Sequence, residues 1–191
     1  MKHRHFILYK PYGYLSQLVN NQNKRRNKKL LGELFDFPEG TMAVGRLDEK
    51  SEGLLILTTN GKLSALIRTD KYEKEYFAQL DGVVSDVALR TLKEGVEIKR
   101  GDSVYTTKPT NVRRLEREPL LPNRGRRIRD SRHGPTSWIS ITLREGKYRQ
   151  VRKMTAVVGY PTLRLVRVRI GNTHLNDMSP GEAVELKKVN L

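Results

Sequence analysis

The sequence predicts an α+β fold built on a mostly antiparallel sheet. Segments with the alternation typical of strands outnumber those with helical spacing, and several follow one another through hairpin-like turns. No segment recurs at a fixed period of about 20 to 50 residues, which excludes a solenoid. With 191 residues, 37% of them apolar, the chain is long enough for one sizeable domain or two small ones.

The first third of the chain predicts three strands and a short helix. The segment HFILY, residues 5–9, has strand composition, and TMAVGRLD, residues 41–48, predicts a short strand that ends at Asp48. GLLILTTNG, residues 53–61, is apolar enough for a strand covered on both faces. The spacing in KLSALIR, residues 62–68, predicts one or two helical turns.

The middle of the chain predicts a strand followed by a capped helix. EKEYFAQLDG, residues 73–82, alternates as a strand. Ser85 or Asp86 can cap a helix that runs to about Glu94, where Gly95 ends it. One face of the strand would carry Tyr76, Ala78 and Leu80, and the apolar face of the helix would carry Val87, Leu89 and Leu92.

The remaining segments predict a hairpin, a long loop and three further strands around one helix. Residues 96–116 fit a hairpin with its turn at Gly101 and Asp102. Residues 117–135 are rich in Arg, Pro and Gly and have no periodicity, so we expect a loop. The last elements are strands in TSWISITLRE (136–145), PTLRLVRVRIGN (161–172) and EAVEL (182–186), and a helix in KYRQVRKMTAVVG (147–159).

The charge of the chain indicates a polyanionic partner. Lys and Arg number 37 against 21 Asp and Glu, a formal charge of +16, so nucleic acid is the leading partner and an anionic membrane surface the competing one. No apolar run approaches a membrane span and no signal peptide precedes residue 6, so we expect a cytoplasmic protein. The chain has no Cys and its four His form no ligand pair on a helix, which excludes disulfides and thiolate metal sites.

Basic residues cluster in segments that could follow an RNA backbone. Arg167 and Arg169 share one predicted strand face, so their guanidinium groups would form a row along an edge or groove. The polar run at residues 20–29 predicts an exposed loop that could touch phosphate. Further candidates are Lys147, Arg149, Arg152 and Lys153 on the helix, and Arg124, Arg126, Arg127, Arg129 and Arg132 in the loop. Each of these side chains could instead be an ordinary solvated charge.

Asp48, in the tetrapeptide Gly-Arg-Leu-Asp, is an unusual charge for a surface that attracts phosphate. A carboxylate there would repel the RNA backbone, which suggests a chemical role. Arg46 lies two residues away and would share its face in an extended segment. The structural alternative is an Asp that closes a turn by bonding backbone amides.

Four ordered motifs resemble the pseudouridine synthases of the RsuA family. They are YKPYGYLS (9–16), GRLDEKSEGLLILTTNG (45–61), KYEKEYFAQLDG (71–82) and EGKYRQVRKMTAVVGYPTLRLVRVRIGN (145–172). The resemblance implies a bent, mostly antiparallel mixed sheet with flanking helices and the active-site cleft across its middle. It also implies that Asp48 is the catalytic residue, acting as a nucleophile on sugar or base or removing a proton from the sugar.

The resemblance implies roles for the neighbours of Asp48 as well. Tyr76 would stack on a uracil flipped out of the RNA, although a core or strand-face tyrosine is the alternative. Lys147 would be the basic partner of Asp48, and Leu165 would pack beneath the tyrosine. Arg46 would wedge into the RNA or orient the flipped nucleotide. The expected RNA surface comprises Arg126, Arg127, Arg149, Arg152, Arg167 and Arg169.

As a whole, the resemblance implies an enzyme that isomerises one uridine of large-subunit ribosomal RNA. It would act as a monomer, without metal or organic cofactor. The first motif begins at Tyr9, so we expect a single catalytic domain over residues 1–191 without the small N-terminal RNA-binding domain common in the family. The main alternative is a non-catalytic RNA-binding or ribosome-associated protein. A glycosidase would need a second, suitably spaced carboxylate, which no motif supplies.

Overall fold

One mixed sheet organises the computed structural model, which describes residues 2–19, 27–129 and 131–191. Residues 20–26 of the predicted polar loop lie outside this description. The helices are α1 (Gly61–Ile67), α2 (Asp86–Glu94) and α3 (Gln150–Val157). The strands are β1 (His5–Lys10), β2 (Tyr14–Leu15), β3 (Lys29–Leu30), β4 (Met42–Val44), β5 (Glu52–Thr58), β6 (Lys74–Asp81), β7 (Glu97–Arg100), β8 (Ser103–Thr106), β9 (Asn111–Arg114), β10 (Thr136–Leu143), β11 (Thr162–Ile170), β12 (Thr173–His174) and β13 (Ala183–Leu186).

Two antiparallel halves meet in the middle of this sheet. Within the described residues it has nine strands, seven of them in the order β13-β1-β5-β11-β6-β10-β9, with β4 paired to β5 and β12 to β11. All pairs are antiparallel except β5 with β11, which are parallel and joined through Val166 opposite Glu52 and Arg167 opposite Gly53. The predicted α+β fold on a mostly antiparallel sheet is therefore confirmed.

Gly53 allows the two halves to approach at this parallel junction. Its φ is +101°, which a side chain rarely adopts. A Cβ atom at this position would lie 2.3 Å from the Arg167 carbonyl oxygen and 2.8 Å from the Arg167 nitrogen. Because both contacts are with backbone, the close approach of β5 and β11 depends on glycine.

The core lies on both faces of β5, as its apolar run predicts. All seven residues of β5 are buried. Leu54 and Ile56 pack on one side with Val166, while Leu55 and Leu57 pack in a separate cluster. The other half of the sheet has its own core, in which β6 and β10 are covered by α2 and α3; its members include Ala78, Leu80, Leu89, Leu92, Ile139, Ile141 and Met154.

Most predicted elements are present, with corrections in two helices. Ser85 caps α2 by accepting a hydrogen bond from the Ala88 nitrogen, as predicted. Val87 is 63% exposed, so its assignment to the buried face was wrong; the face of α2 that packs on the sheet consists of Ala88, Leu89 and Leu92. The helix predicted from residue 147 begins only at Gln150. None of the helices in the described ranges is long and apolar enough to cross a bilayer.

Candidate active site

Asp48 lies in a loop between β4 and β5. The predicted strand through Asp48 was wrong, because β4 ends at Val44 and Gly45 then adopts a φ of +59°, which breaks the extended conformation. The turn is closed by backbone, since the Ser51 nitrogen donates to the Asp48 carbonyl oxygen at 3.0 Å. We call residues 45–51 the catalytic loop, after the role that the resemblance implies for Asp48.

The side chain of Ser16 fixes the centre of the catalytic loop. Its Oγ donates to the Leu47 carbonyl oxygen (2.8 Å) and accepts from the Leu47 nitrogen (3.0 Å). Leu47 is buried, whereas Arg46 is exposed and Asp48 partly exposed. Both flanking side chains line the adjoining cleft, although the extended segment from which their shared face was predicted is absent.

Lys10 is a buried cation beneath the catalytic loop that sequence reasoning missed. Its Nζ donates to the carbonyl oxygens of Pro11 (2.9 Å), Glu49 (3.3 Å) and Ser51 (2.7 Å). Burial lowers the pKa of Lys10 to about 7, while the nearby carboxylates, chiefly Glu52, act to raise it. The available signal was its position, between an apolar strand and a proline.

Arg167 also supports the catalytic loop, which corrects the predicted row of exposed arginines. Arg167 is 2% exposed and donates to the carbonyl oxygens of Gly45 (2.7 Å) and Leu54 (2.8 Å). Arg169 is occupied by ion pairs with Glu75 (3.0 Å) and Glu73 (3.1 Å). The reason is topological: β11 is a central strand between β5 and β6, not an edge.

A cleft of about 780 Å³ adjoins the catalytic loop and brings together six of the predicted site residues. They are Arg46, Asp48, Tyr76, Lys147, Arg149 and Leu165. The other predicted residues are not among those lining it: Arg126, Arg127, Arg152, Arg167 and Arg169. Arg152 nevertheless supports the catalytic loop, because its guanidinium donates to the Lys50 carbonyl oxygen at 2.8 Å.

The basic partner of Asp48 in this structure is Arg149. Arg149 Nη1 lies 3.5 Å from Asp48 Oδ2. Arg149 precedes α3 with a φ of +52°, an uncommon conformation for a residue with a side chain. Lys147, for which this pairing was expected, instead has its Nζ 4.9 Å from the ring centroid of Tyr105. Lys147 shares the cleft with Asp48, but the ion pair belongs to Arg149.

Tyr76 lines the same cleft as Asp48. It lies on β6 directly across from Arg167 on β11, whose Cζ is 6.0 Å from the tyrosine ring centroid. The ring is partly buried and packs against the core cluster that contains the buried Leu165. Tyr76 and Leu165 both line the cleft, so an aromatic ring and an apolar side chain share it with the Asp48 carboxylate.

Glu145 is a buried charge in the cleft wall, and the sequence did not single it out. Its carboxylate accepts hydrogen bonds from Gln150 Nε2 (2.6 Å), the Lys108 nitrogen (3.0 Å) and the Tyr105 hydroxyl. These bonds tie the segment that precedes α3 to the end of β8. Among the described residues, no group of three or more histidines and carboxylates is arranged to hold a metal ion.

Comparison with solved structures defines the class of protein. A protein solved as "Crystal structure of pseudouridylate synthase" superposes with a TM-score of 0.75 at 27% identity, covering 97% of this chain and 71% of that one. Residues 4–157 match the family described as RNA pseudouridylate synthase. The fold with its central cleft is thus that of the pseudouridine synthases.

Sequence relatives give the same assignment. Ribosomal large subunit pseudouridine synthase E of Xanthomonas campestris pv. campestris is 42% identical over 178 residues, 92% of this chain and 91% of the relative. The protein of the same name from Vibrio vulnificus is 40% identical over 182 residues, 94% and 74% of the respective chains. The chain belongs to the RNA pseudouridine synthase family, in its RsuA-type branch, and is an enzyme of that family.

Proposed function

We propose that this enzyme converts a uridine of large-subunit ribosomal RNA to pseudouridine, with Asp48 as the catalytic carboxylate. The observation that carries the proposal is the ion pair of Asp48 with Arg149 in a cleft shared with Tyr76. The large-subunit substrate rests on the names of the relatives that cover most of the chain. The proposal also includes a cytoplasmic location, where the enzyme would meet ribosomal RNA, and a monomeric state.

The chemistry is an isomerisation that needs no external reactant. The bond from C1′ of the ribose to N1 of uracil breaks, and a bond from C1′ to C5 forms. The proton on C5 is lost and N1 gains one, so neither atoms nor electrons are added. Because these atoms are inaccessible in a stacked helix, the nucleotide must leave the stack and enter the cleft.

In the cleft, Asp48 would act on the sugar or the base of that nucleotide. It can attack as a nucleophile or remove a proton from the sugar, and both routes need an ionised carboxylate. The Arg149 guanidinium lies 3.5 Å from this carboxylate and would hold it in position. Tyr76 would stack on the extruded uracil, with Leu165 supporting the ring from the core side.

The remaining predicted residues would either bind the RNA around the cleft or support the residues that do. Arg46 is exposed at the cleft and would contact the nucleotides that flank the target. Lys147 also lines the cleft and would contact phosphate there. Arg126, beside the Tyr12 ring at 5.6 Å, would extend this surface onto the arginine-rich loop. Arg167 and Arg169 would act as supports, since their guanidinium groups are already bonded.

Mapping of pseudouridine in ribosomal RNA tests the proposal. RNA from cells lacking this protein should lose one pseudouridine of the large subunit, and expression of the wild-type chain should restore it. Asp48→Asn should fail to restore it while remaining folded and able to bind RNA. An unchanged map would contradict the substrate assignment. Restoration by Asp48→Asn would contradict the role of Asp48.

A further inference from the structure

Tyr148 is an exposed aromatic ring in the wall of the catalytic cleft, and the reaction described above does not use it. The side chain is 73% exposed, in contrast to the partly buried Tyr76 in the same cleft. A large aromatic side chain this exposed buries little apolar surface and so contributes little to folding by burial. Its position beside the ion pair of Asp48 and Arg149 calls for a role in the bound complex.

The backbone around Tyr148 presents the ring from a rigid support. On one side, buried Glu145 is held by Gln150 and Lys108. On the other, Arg149 has a φ of +52° and places its guanidinium beside Asp48, after which α3 begins. Tyr148 therefore lies on a short segment fixed at both ends, and it needs little ordering to meet a ligand.

The surroundings of the ring are cationic. Lys153 Nζ lies 5.4 Å from the centroid of the Tyr148 ring and is itself fixed by donating to the Lys99 carbonyl oxygen at 2.6 Å. Lys147 and Arg149 flank the tyrosine in the chain and line the same cleft. An aromatic face among fixed cations combines the two contacts that an unpaired nucleotide offers, a base to stack on and a phosphate to pair with.

We propose that Tyr148 is a stacking platform for the base of an unpaired nucleotide adjacent to the target uridine. The proposal rests on the proposed function, since it assumes that the target uracil occupies the interior of the cleft against Tyr76. Tyr148 is too exposed to enclose that base, but it can hold its neighbour at the cleft entrance. The substrate would then be a loop, a bulge or an opened end of a stem, with a purine preferred beside the target because its π-face is larger.

Binding of short RNA tests this platform directly. The probe is a single-stranded RNA of about ten nucleotides with one central uridine. In an Asp48→Asn background, which prevents turnover, Tyr148→Ser should weaken binding roughly 5- to 150-fold, and Tyr148→Phe should bind like the parent. Tyr72→Ser is the matched control, because Tyr72 also has a lysine beside its ring (Lys71 Nζ at 5.6 Å) but does not line the cleft.

An abasic scan of the same RNA identifies the nucleotide that stacks. Removal of one flanking base should weaken binding to the parent by a factor similar to that of Tyr148→Ser, and should have no further effect on the Tyr148→Ser variant. The proposal would be overturned if the losses from Tyr148→Ser and from base removal were additive at every flanking position. It would also be overturned if the effect of Tyr148→Ser were coupled to removal of the target uracil itself. Normal conversion of ribosomal RNA by Tyr148→Ser would also overturn it and leave the proposed function intact. A wild-type protein that converts no RNA would contradict the proposed function, while the binding scan would still decide the role of Tyr148.

Discussion

Cationic side chains hold Asp48 and its loop in two ways, through the carboxylate and through backbone carbonyl oxygens. Arg149 contacts the carboxylate itself. Lys10 bonds the carbonyl oxygens of Glu49 and Ser51, which follow Asp48 in the catalytic loop, and Arg167 bonds the carbonyl oxygen of Gly45 at its start. Arg152 acts in the second way, since it donates to the carbonyl oxygen of Lys50. Much of the positive charge around the site therefore positions the loop backbone, whereas Arg149 is the residue that, within the described ranges, forms an ion pair with the carboxylate.

Substitution of Tyr76 separates a stacking role from a core role. If the ring stacks on uracil, Tyr76→Leu should fold and bind RNA but turn over very poorly, because a stacking interaction of about 1–3 kcal/mol is lost in the flipped complex. Tyr76→Phe keeps the aromatic face and should keep folding and binding. Melting temperature and single-turnover rate, measured on the same preparations, check this.

A purely structural role of Tyr76 in the core predicts a different result. A core tyrosine replaced by leucine would lose about 2–4 kcal/mol of unfolding free energy, and activity would fall only with the folded fraction. An unstable Tyr76→Leu protein that is fully active per folded molecule would remove the stacking role.

Lys10→Met should change how stability depends on pH. The pKa of Lys10 is about 7 in the folded chain, against an ordinary value of 10.5. At pH values between these two, the unfolded chain therefore binds a proton at this lysine more tightly than the folded chain does. Unfolding then takes up a proton, and the unfolding free energy of the wild type should rise with pH across this window by up to about 1.4 kcal/mol per pH unit relative to Lys10→Met. Urea denaturation from about pH 7 to pH 10 measures this difference.

A matched substitution controls for the loss of a lysine. Lys62→Met makes the same chemical change at an exposed position of α1. The Lys10 interpretation is contradicted if Lys10→Met and the wild type show parallel stability curves over the whole window.

At the scale of elements, the sequence pattern predicted the strands and the helix cap that depend on a few neighbouring residues. The apolar run of β5, the alternation of β6 and the Ser85 cap of α2 are all present, because burial and capping act over a few residues. The motifs also identified Asp48, Tyr76 and Leu165, which share one cleft. Strand order was not readable from the pattern. The burial of Arg167 and the pairing of Arg169 both follow from the central position of β11.

Two predictions near Asp48, the end of the strand before it and the start of α3, were wrong because of the backbone conformation of single residues. Gly45 and Arg149 both adopt a positive φ, one ending the predicted strand before Asp48 and the other starting α3 later than its apolar spacing suggested. Hydrophobic periodicity carries no information about such single-residue reversals. The choice of Arg149 instead of Lys147 as the partner of Asp48 depends on this reversal.

Gly53→Ala should disrupt the junction between the two halves of the sheet. A methyl group there would lie 2.3 Å from the Arg167 carbonyl oxygen, and the φ of +101° is unfavourable for alanine. We expect a loss of more than about 3 kcal/mol in unfolding free energy or a failure to fold. Gly101→Ala, at a φ of +62° with open space around it, should cost only about 1 kcal/mol. Equal effects of the two substitutions, measured by denaturant unfolding, would contradict the steric argument.

At the scale of the whole molecule, the formal charge of +16 overstates the cations available to RNA. Lys10 is bonded to backbone, Arg164 pairs with buried Glu52 at 2.9 Å, and Arg169 pairs with two glutamates. Among the described residues, Arg46 and Lys50 are exposed at the cleft and remain for phosphate. This division makes the salt dependence of binding a test of where the RNA lies.

The logarithm of RNA affinity should fall linearly with the logarithm of salt concentration, by roughly 0.7 to 0.9 for each phosphate contact. Arg46 is exposed at the cleft, so Arg46→Gln should make this line less steep by the contribution of about one phosphate contact. Arg4→Gln should leave the slope unchanged, because Arg4 is engaged with Glu185 at 2.7 Å and lies at the end of β1 away from the catalytic loop, about 20 Å along the strand from Lys10. Titrations between low and physiological salt measure both slopes. A flat response of the wild type, or an equal effect of the two substitutions, would mean that the surface around Asp48 does not bind the RNA backbone.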